Sequence, residues 1–292
     1  TSLGSGTPRP AAIAAPPRPA EVLAVDPLSA DIRAYYQGIE TQRVANRLMR
    51  TDGGQGEVTI TAARLAETYA EVALRDEHPT GGGAPGPSVL RRWQGPVRYS
   101  LEFGASTGRA TRAQDYREVQ QLAARLAGAA QHPISVVSPG QGEGNFHVLV
   151  LSESERRGAG DRLRALVPGI DDNTVRLMTD LSLQTFCIVL AFSRDGSATY
   201  TEAVAVIRAE HPDLTRRACY HEELTQGLGL AADSPRARPS IFNDDQEFAL
   251  LTPFDILMLR LHYDPRLTPG MTPAQARPII FSIASELVAG AS

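Results

Sequence analysis

The densest group of side chains that could do chemistry lies between residues 219 and 233. His221, Glu222 and Glu223 are consecutive, and Gln226 follows Glu222 by four residues. On a helix, residues four apart share one face, whereas adjacent side chains diverge by about 100°. A glutamate beside a cleft can act as a general base. We therefore predict that Glu223 is the catalytic residue if the chain has any catalytic activity.

Three interpretations of this group remain open. In the first, His221 binds zinc, although the residue four positions later is Thr225, which is a poor zinc ligand. In the second, the oxygens of Glu222, Gln226 and Asp233 hold calcium. In the third, which we favour, these side chains form a hydrogen-bonded cluster around a degenerate cleft, and we expect no metal and no other cofactor.

The two cysteines of the chain are Cys187 and Cys219. One lies on a predicted strand and the other just before a predicted helix, so we expect a disulfide between them. Closing a loop of this length stabilises a fold by roughly 3–4 kcal/mol. The alternative is a pair of unrelated buried thiols. A disulfide would indicate that the protein works outside the reducing cytosol.

Composition excludes several classes of protein. The chain has 292 residues, 42% of them hydrophobic and 21% charged, which is typical of a globular protein. The formal net charge is −4 and no basic stripe is present, so we expect no binding to nucleic acid. The apolar runs, such as 187–192, are too short for the ~20 residues of a membrane span.

The chain divides into four predicted parts. Residues 1–26 are rich in Pro and Ala, and we expect them to form a disordered tether. Residues 27–80 show helical spacing of apolar side chains and are expected to form a helical hairpin. A Gly/Pro-rich hinge is expected at 81–88. Residues 89–292 alternate strands and helices, which predicts an α+β domain with a mixed twisted sheet.

Within the fourth part, hydrophobic periodicity gives the bounds of individual elements. The helix that would carry Glu223 is predicted around 221–228, beginning after Cys219. The other expected elements are strands at 97–103, 134–137, 146–151, 186–192 and 203–207 and helices at 115–127, 153–166 and 252–262.

Several short motifs in this part resemble the zinc-binding region of metzincin peptidases, above all the matrixin branch. The matching residues are Glu223-Leu224 of the helix, Gly229 of the turn after it, Ser240-Ile241, and the segment Leu251-Thr252-x-x-Asp255. The resemblance implies a zincin-like fold in which the Glu223 helix packs over the sheet. It also implies that Gly229 turns the chain away and that Glu222 and Gln226 point into the cleft.

The metal ligands of that family are not present. Aligning Glu223 with the catalytic glutamate places Glu222 and Gln226 where two histidines belong. The third ligand position falls on Ala232, and Phe242 replaces the methionine of the following turn. Zinc peptidases need three good protein ligands. The resemblance therefore implies a metallopeptidase-like scaffold that has lost its zinc site.

The chain from about residue 26 to 277 also resembles a bacterial family known as domain of unknown function 2927. The residues that carry the resemblance are Leu48–Gly54, Arg92-Trp93, Asn145-Phe146, Cys187, Cys219, Glu222–Leu230, Ser240–Asp244, Tyr263–Leu267, Gly270 and Met271. The resemblance implies an exported or lipid-anchored protein of Gram-negative bacteria. It implies no particular activity.

These observations lead to one expected function and one alternative. We expect an exported protein of the periplasm or envelope that acts as a non-catalytic binding or accessory subunit for a protein partner. The start of the chain predicts a processed export signal and a lipid anchor, hence peripheral association with a membrane. The alternative is an active hydrolase in which Glu223 is the general base and the metal ligands are unusual.

Overall fold

The computed structural model describes residues 27–76, 86–194, 196–243 and 245–290. The tether expected at 1–26 lies outside the described residues, as does the greater part of the hinge expected at 81–88. Gly86–Pro87, at the end of that hinge, forms a short strand that pairs antiparallel with Arg75–Asp76.

Helices and strands follow one another along the described chain mostly in runs of two to four elements of one kind. The helices are α1 (Pro27–Ala45), α2 (Ala62–Ala73), α3 (Arg109–Ala130), α4 (Glu153–Arg157), α5 (Gly160–Leu166), α6 (Asp172–Thr179), α7 (Asp213–Gln226), α8 (Pro253–His262) and α9 (Pro273–Gly290). The strands are β1 (Arg75–Asp76), β2 (Gly86–Pro87), β3 (Arg92–Trp93), β4 (Val97–Phe103), β5 (Ile134–Val136), β6 (Phe146–Leu151), β7 (Cys187–Ser193) and β8 (Thr199–Arg208).

One mixed sheet organises the molecule. Its strands follow the order β5-β4-β6-β8, and these four run parallel. The short strand β3 pairs parallel with the start of β8, and β7 pairs antiparallel with β8. The β7 strand has the one partner β8 among the described strands, so its other edge is open. The mixed, mostly parallel sheet with helices agrees with the predicted α+β class.

The sheet has a core on each face because alternate residues of each strand point to opposite sides. Phe146 and Val148 of β6 face the larger core, which is built with α2, α3, α7, α8 and α9. Leu149 and Leu151 face a smaller core built with α5 and α6. All six residues of β6 are buried, as expected for a central parallel strand that is covered on both faces.

Several predicted element bounds are wrong. The Glu223 helix begins at Asp213, so Cys219 and His221 lie inside it rather than before or at its start. The helix predicted at 153–166 is two helices, because α4 ends at Arg157, with Gly158 as its C-cap, and α5 begins at Gly160.

The two N-terminal helices have different neighbours. α2 packs mainly against α9 and α8. Tyr36 of α1 is buried, with its ring 5.2 Å from that of Phe186 and 4.4 Å from that of His211. In the described part of the chain the two helices therefore pack onto separate parts of the α+β domain, rather than as the hairpin expected within 27–80. None of the described helices is both long and apolar enough to cross a membrane.

Candidate active-site cleft

A cleft lies between α7 and the open edge of β7. The polar residues that α7 contributes to its lining are Glu222, Glu223 and Gln226. Opposite them, five consecutive residues of β7, Cys187–Ala191, line the cleft. Asp233, from the segment after α7, completes this side. The cleft therefore brings together all the residues for which the sequence predicted a degenerate site, with the exceptions of His221 and Gly229.

A disulfide ties the two walls of the cleft together. Cys187 at the start of β7 is bonded to Cys219 on α7, with 5.9 Å between their Cα atoms. The predicted pairing of the two cysteines is confirmed. Because the bond lies three residues before Glu222, it fixes the position of the acidic end of α7 against the edge strand.

Gly229 is required at the turn that follows α7. Its φ angle is +127°, a conformation that residues with a side chain rarely adopt. A Cβ atom built at this position would lie 2.2 Å from His262 Nε2 and 2.4 Å from the Arg91 carbonyl oxygen. Four residues after Gly229, the side chain of Asp233 accepts a 3.0 Å hydrogen bond from the amide nitrogen of Gln226.

His221 is not part of the cleft lining. It is 2% exposed, and its Nδ1 accepts a 2.9 Å hydrogen bond from the backbone nitrogen of Leu251. Its Nε2 lies 3.0 Å from Glu118 of α3. Burial lowers the pKa of His221, and a neutral ring with its hydrogen on Nε2 satisfies both contacts. The predicted start of the helix near His221 is wrong, because α7 extends eight residues further toward the N-terminus.

The charges in the cleft are mostly negative. Four carboxylates line the cleft, those of Asp76, Glu222, Glu223 and Asp233. Among the described lining residues, the cation is Arg91. Glu223 is 3% exposed, whereas Glu222 is half-buried. Arg43 of α1 approaches Glu222 from outside: burial lowers the pKa of the Arg43 guanidinium, and the negative charge of Glu222 partly opposes that shift.

The donor atoms in the cleft do not form a zinc site. Cys187 Sγ and one carboxylate oxygen each of Glu222 and Glu223 lie within 4.8 Å of one another. The sulfur is already bonded in the disulfide, so two carboxylates remain. Zinc sites in enzymes use imidazole or thiolate ligands with at most one or two carboxylates. No described imidazole lines this cleft.

The third ligand position also lies elsewhere. Ala232 is buried, and its backbone nitrogen donates a hydrogen bond to the Val72 carbonyl of α2. Its neighbour Asp233 lines the cleft instead. In the sequence, Asp233 directly follows Ala232, which occupies the position of the third metal ligand in the aligned family.

The segment that opens α8 is held by a buried carboxylate. Asp255 and Thr252 form a capping box, in which each side chain accepts a hydrogen bond from the backbone nitrogen of the other. Asp255 also accepts hydrogen bonds from Ser240 Oγ at 2.6 Å and from the Ile241 nitrogen at 3.3 Å. Burial raises the pKa of Asp255 to about 6. Ser240, Ile241, Thr252 and Asp255 therefore have a structural role behind the cleft.

Sequence reasoning missed three charged residues at the cleft. Asp76, Arg91 and Arg43 lie on separate segments before the sheet, more than 90 residues from the α7 motif. No local spacing connects them to it. A signal was available for Arg91, which directly precedes the Arg92-Trp93 pair that carries the family resemblance.

The fold and the cleft define an α+β protein with a mixed sheet and an acidic cleft along one sheet edge. A family model described as "Protein of unknown function (DUF2927)" matches residues 62–282. The match covers well over half of the chain, which therefore belongs to the DUF2927 family. That family description names no activity and no cofactor. No curated protein and no solved structure matched the chain.

Proposed function

We propose that this chain is a non-catalytic binding protein of the cell envelope, whose cleft holds an extended segment of a partner protein. The observation that carries this proposal is the open edge of β7, which lines the cleft directly beside α7. A second candidate function is that of an active hydrolase.

An open strand edge is a ready-made site for a peptide. It presents backbone donors and acceptors that an added strand can pair with, while pockets beside it select alternate side chains. Five consecutive β7 residues, Cys187–Ala191, line the cleft, so the strand's backbone edge is exposed to it. The opposite wall, α7, supplies carboxylate and amide groups that can bind polar atoms of such a segment.

The ligand chemistry argues against a zinc peptidase. His221 is engaged with Glu118 and the Leu251 nitrogen. Gln226 donates its amide to Asp233. Carboxylate and amide oxygens suit hard cations better than zinc, which prefers nitrogen and sulfur. A protein that binds without cutting is consistent with this set of groups.

Three features support a metallopeptidase-like origin of the scaffold. The Glu223 helix packs against β7 and β8 of the sheet, as the resemblance to metzincins implies. Gly229 makes a turn that other residues could not make. The Leu251-Thr252-x-x-Asp255 segment opens α8 through a capping box.

The disulfide supports a location outside the cytosol. Structural disulfides persist in oxidising compartments such as the periplasm, and Cys187–Cys219 links the two walls of the cleft. We therefore propose that the protein works outside the cytosol. A lipid anchor and an accessory role for a membrane-associated partner complete this proposal.

Selection from a phage-displayed library of random nonapeptides tests the binding function. Ala191 is a half-buried β7 residue in the cleft wall, so Ala191→Trp should fill the cleft and weaken binding of the selected peptides at least tenfold. Ala113→Trp, at an exposed position on α3, is the matched control and should leave binding unchanged. Failure to enrich any peptide, or equal binding by the Ala191→Trp protein, contradicts the proposal.

The second candidate is a hydrolase with Glu223 as general base. It is favoured by the approach of the Glu222 and Glu223 carboxylates, each with an oxygen within 4.8 Å of Cys187 Sγ. Metal analysis of the purified protein separates the two candidates. One equivalent of tightly held zinc supports the hydrolase, and a folded protein without stoichiometric zinc supports the binding function.

A further inference from the structure

We propose that a second site, separate from the cleft, binds a phosphate group. It is a crevice at the carboxyl end of the parallel strands, between α1, the loop that joins β4 to α3, and the connection from β8 to α7. The residues that line it include Arg33, Glu40, Thr107, Gly108, His211 and Arg216. None of these residues lines the α7–β7 cleft.

The topology favours a ligand at this position. In sheets with parallel strands, ligands bind beyond the carboxyl ends of neighbouring strands whose connections leave to opposite faces. The helix α3, which follows β4, packs on the face with the larger core. The helices α5 and α6, which follow the neighbouring strand β6, pack on the other face.

The start of α3 supplies donors for an anion. Gly108 is the N-cap residue of this 22-residue helix, and it provides no side-chain cap. The first backbone N–H groups of a helix have no partner within it, and the helix dipole adds a partial positive charge there. Together these effects make such a terminus suited to phosphate.

Two buried polar atoms give independent support. Thr107 lines the crevice, is 7% exposed, and its hydroxyl has no hydrogen-bond partner among the described residues. His211 also lines it and is fully buried; its Nε2 lies 2.7 Å from the Phe186 carbonyl oxygen, while Nδ1 has no described partner. Buried polar groups in proteins are normally paired. A hydrogen phosphate or a phosphate monoester offers both acceptor oxygens and a hydroxyl donor.

The other helix terminus in the crevice already binds an oxyanion. Glu40 of α1 accepts hydrogen bonds from the backbone nitrogen and the hydroxyl of Thr215, at 2.8 and 2.7 Å, in the first turn of α7. The start of α7 is therefore satisfied by a carboxylate from within the chain, and the start of α3 is the terminus to which the phosphate binds.

Most of the charged side chains around the crevice have partners within the chain. The Glu155 carboxylate accepts hydrogen bonds from the backbone nitrogen and the hydroxyl of Ser106, in the loop before α3, at 2.9 and 2.8 Å. Arg216 is paired with the carboxylates of Asp115 and Asp213. The carboxylate of Glu40 accepts a hydrogen bond from the backbone nitrogen of Thr215 in the first turn of α7. Arg33 on α1 is exposed and lines the crevice, so it supplies the cation that faces a phosphate at α3.

Gly108→Asp is the most direct test, because the carboxylate of the new aspartate would occupy the place of the phosphate at the start of α3. The φ and ψ angles of Gly108 are −66° and 155°, which suit an aspartate cap, and a Cβ atom there would meet nothing within 4 Å. The variant should raise the melting temperature by about 1–2 °C without phosphate. It should also weaken binding of inorganic phosphate at least tenfold by calorimetry. Gln120→Asp adds the same charge at an exposed position within α3 and should leave phosphate binding unchanged.

A second variant and two further probes complete the test. Thr107→Val removes only the unpaired hydroxyl and should weaken phosphate binding several-fold in a folded protein. Glycerol 3-phosphate in solution and phosphatidylglycerol vesicles, each compared with a phosphate-free counterpart, distinguish a soluble ester from a lipid headgroup. The proposal is overturned if none of these probes binds better than chloride at equal ionic strength. It is equally overturned if Gly108→Asp binds phosphate as the unmodified protein does.

Discussion

The imidazole of His221 on α7 is joined to the carboxylate of Glu118 on α3, with 3.0 Å between Nε2 and Oε1. The other ring nitrogen accepts a hydrogen bond from Leu251, at the end of the segment that leads into α8. His221, two residues before the candidate general base, therefore connects α7, α3 and the segment that leads into α8.

We predict that His221→Ala destabilises the fold and does not change its metal content. The substitution leaves the buried Leu251 nitrogen without its acceptor and removes packing, which together should lower the free energy of unfolding by about 2–4 kcal/mol. Urea denaturation measures this loss. A normal stability with a loss of bound zinc would instead identify His221 as a ligand.

The bounds of the central strands were predictable because they are regular. Both β4 and β6 have the limits expected from the sequence, since their alternating or continuous apolar patterns match their burial. The start of α7 was missed because its buried residues include Arg216, whose charge is paired with Asp115 of α3. A buried ion pair of this kind breaks the apolar periodicity on which a helix prediction depends.

The candidate site was predictable only in its local part. The residues on one face of α7 follow from helical spacing, and the pairing of the two cysteines followed from their placement. The partners of His221 and Glu222 could not be predicted in this way, because Glu118 and Arg43 belong to helices that precede α7 by about 100 and 180 residues. Contacts over such separations depend on the tertiary fold and leave no periodic signal.

The disulfide should account for a large share of the stability. Cys187 and Cys219 are 32 residues apart, and a loop of that size corresponds to about 3–4 kcal/mol in the chain-entropy model. We expect Cys187→Ala with Cys219→Ala to lower the free energy of unfolding by this amount. Intact mass before and after reduction checks the bond itself: two alkylated thiols in the unreduced, denatured protein would contradict it.

Asp255 should make stability depend on pH in a defined direction. Its pKa in the folded protein is about 6, against 3.8 as the ordinary value. The folded state therefore binds a proton more tightly than the unfolded state between these values. The resulting stability is fully present below about pH 4 and is lost as the pH rises through about 6, by roughly 3 kcal/mol.

Asp255→Asn isolates this effect. The amide keeps a carbonyl oxygen for the Ile241 and Thr252 nitrogens and can donate to the Ser240 hydroxyl, while it cannot ionise. The buried imidazoles of His211 and His262, whose pKa values burial lowers to about 3, act in the opposite direction in both proteins. The difference in unfolding free energy between the two proteins should change between pH 4 and 6; a constant difference would contradict the raised pKa.

Two substitutions should create a zinc site where none is expected. Glu222 and Gln226 share one face of α7, and Gln226 is hydrogen-bonded to Asp233. Glu222→His with Gln226→His would therefore place two imidazoles beside a carboxylate, which is a ligand set that catalytic zinc sites use. We predict one equivalent of zinc by elemental analysis in the double variant and much less than one in the unmodified protein.

A control at the same spacing defines the specificity of this result. Gln114 and Glu118 are also four residues apart, on α3, and Glu118 is held by His221. Gln114→His alone adds an imidazole at an exposed position and should bring no stoichiometric zinc. Equal zinc uptake by this variant would show that the double variant binds zinc nonspecifically.

The central claim is that the cleft between α7 and β7 holds an extended peptide without cutting it. Mass spectrometry of a proteome-derived peptide library, incubated with the protein and separated into retained and free fractions, tests this claim most directly. The account predicts a retained set of intact peptides that the Ala191→Trp protein fails to retain. New peptide termini that form with the unmodified protein and not with Glu223→Gln would contradict it, because they would show that the cleft is a working peptidase site.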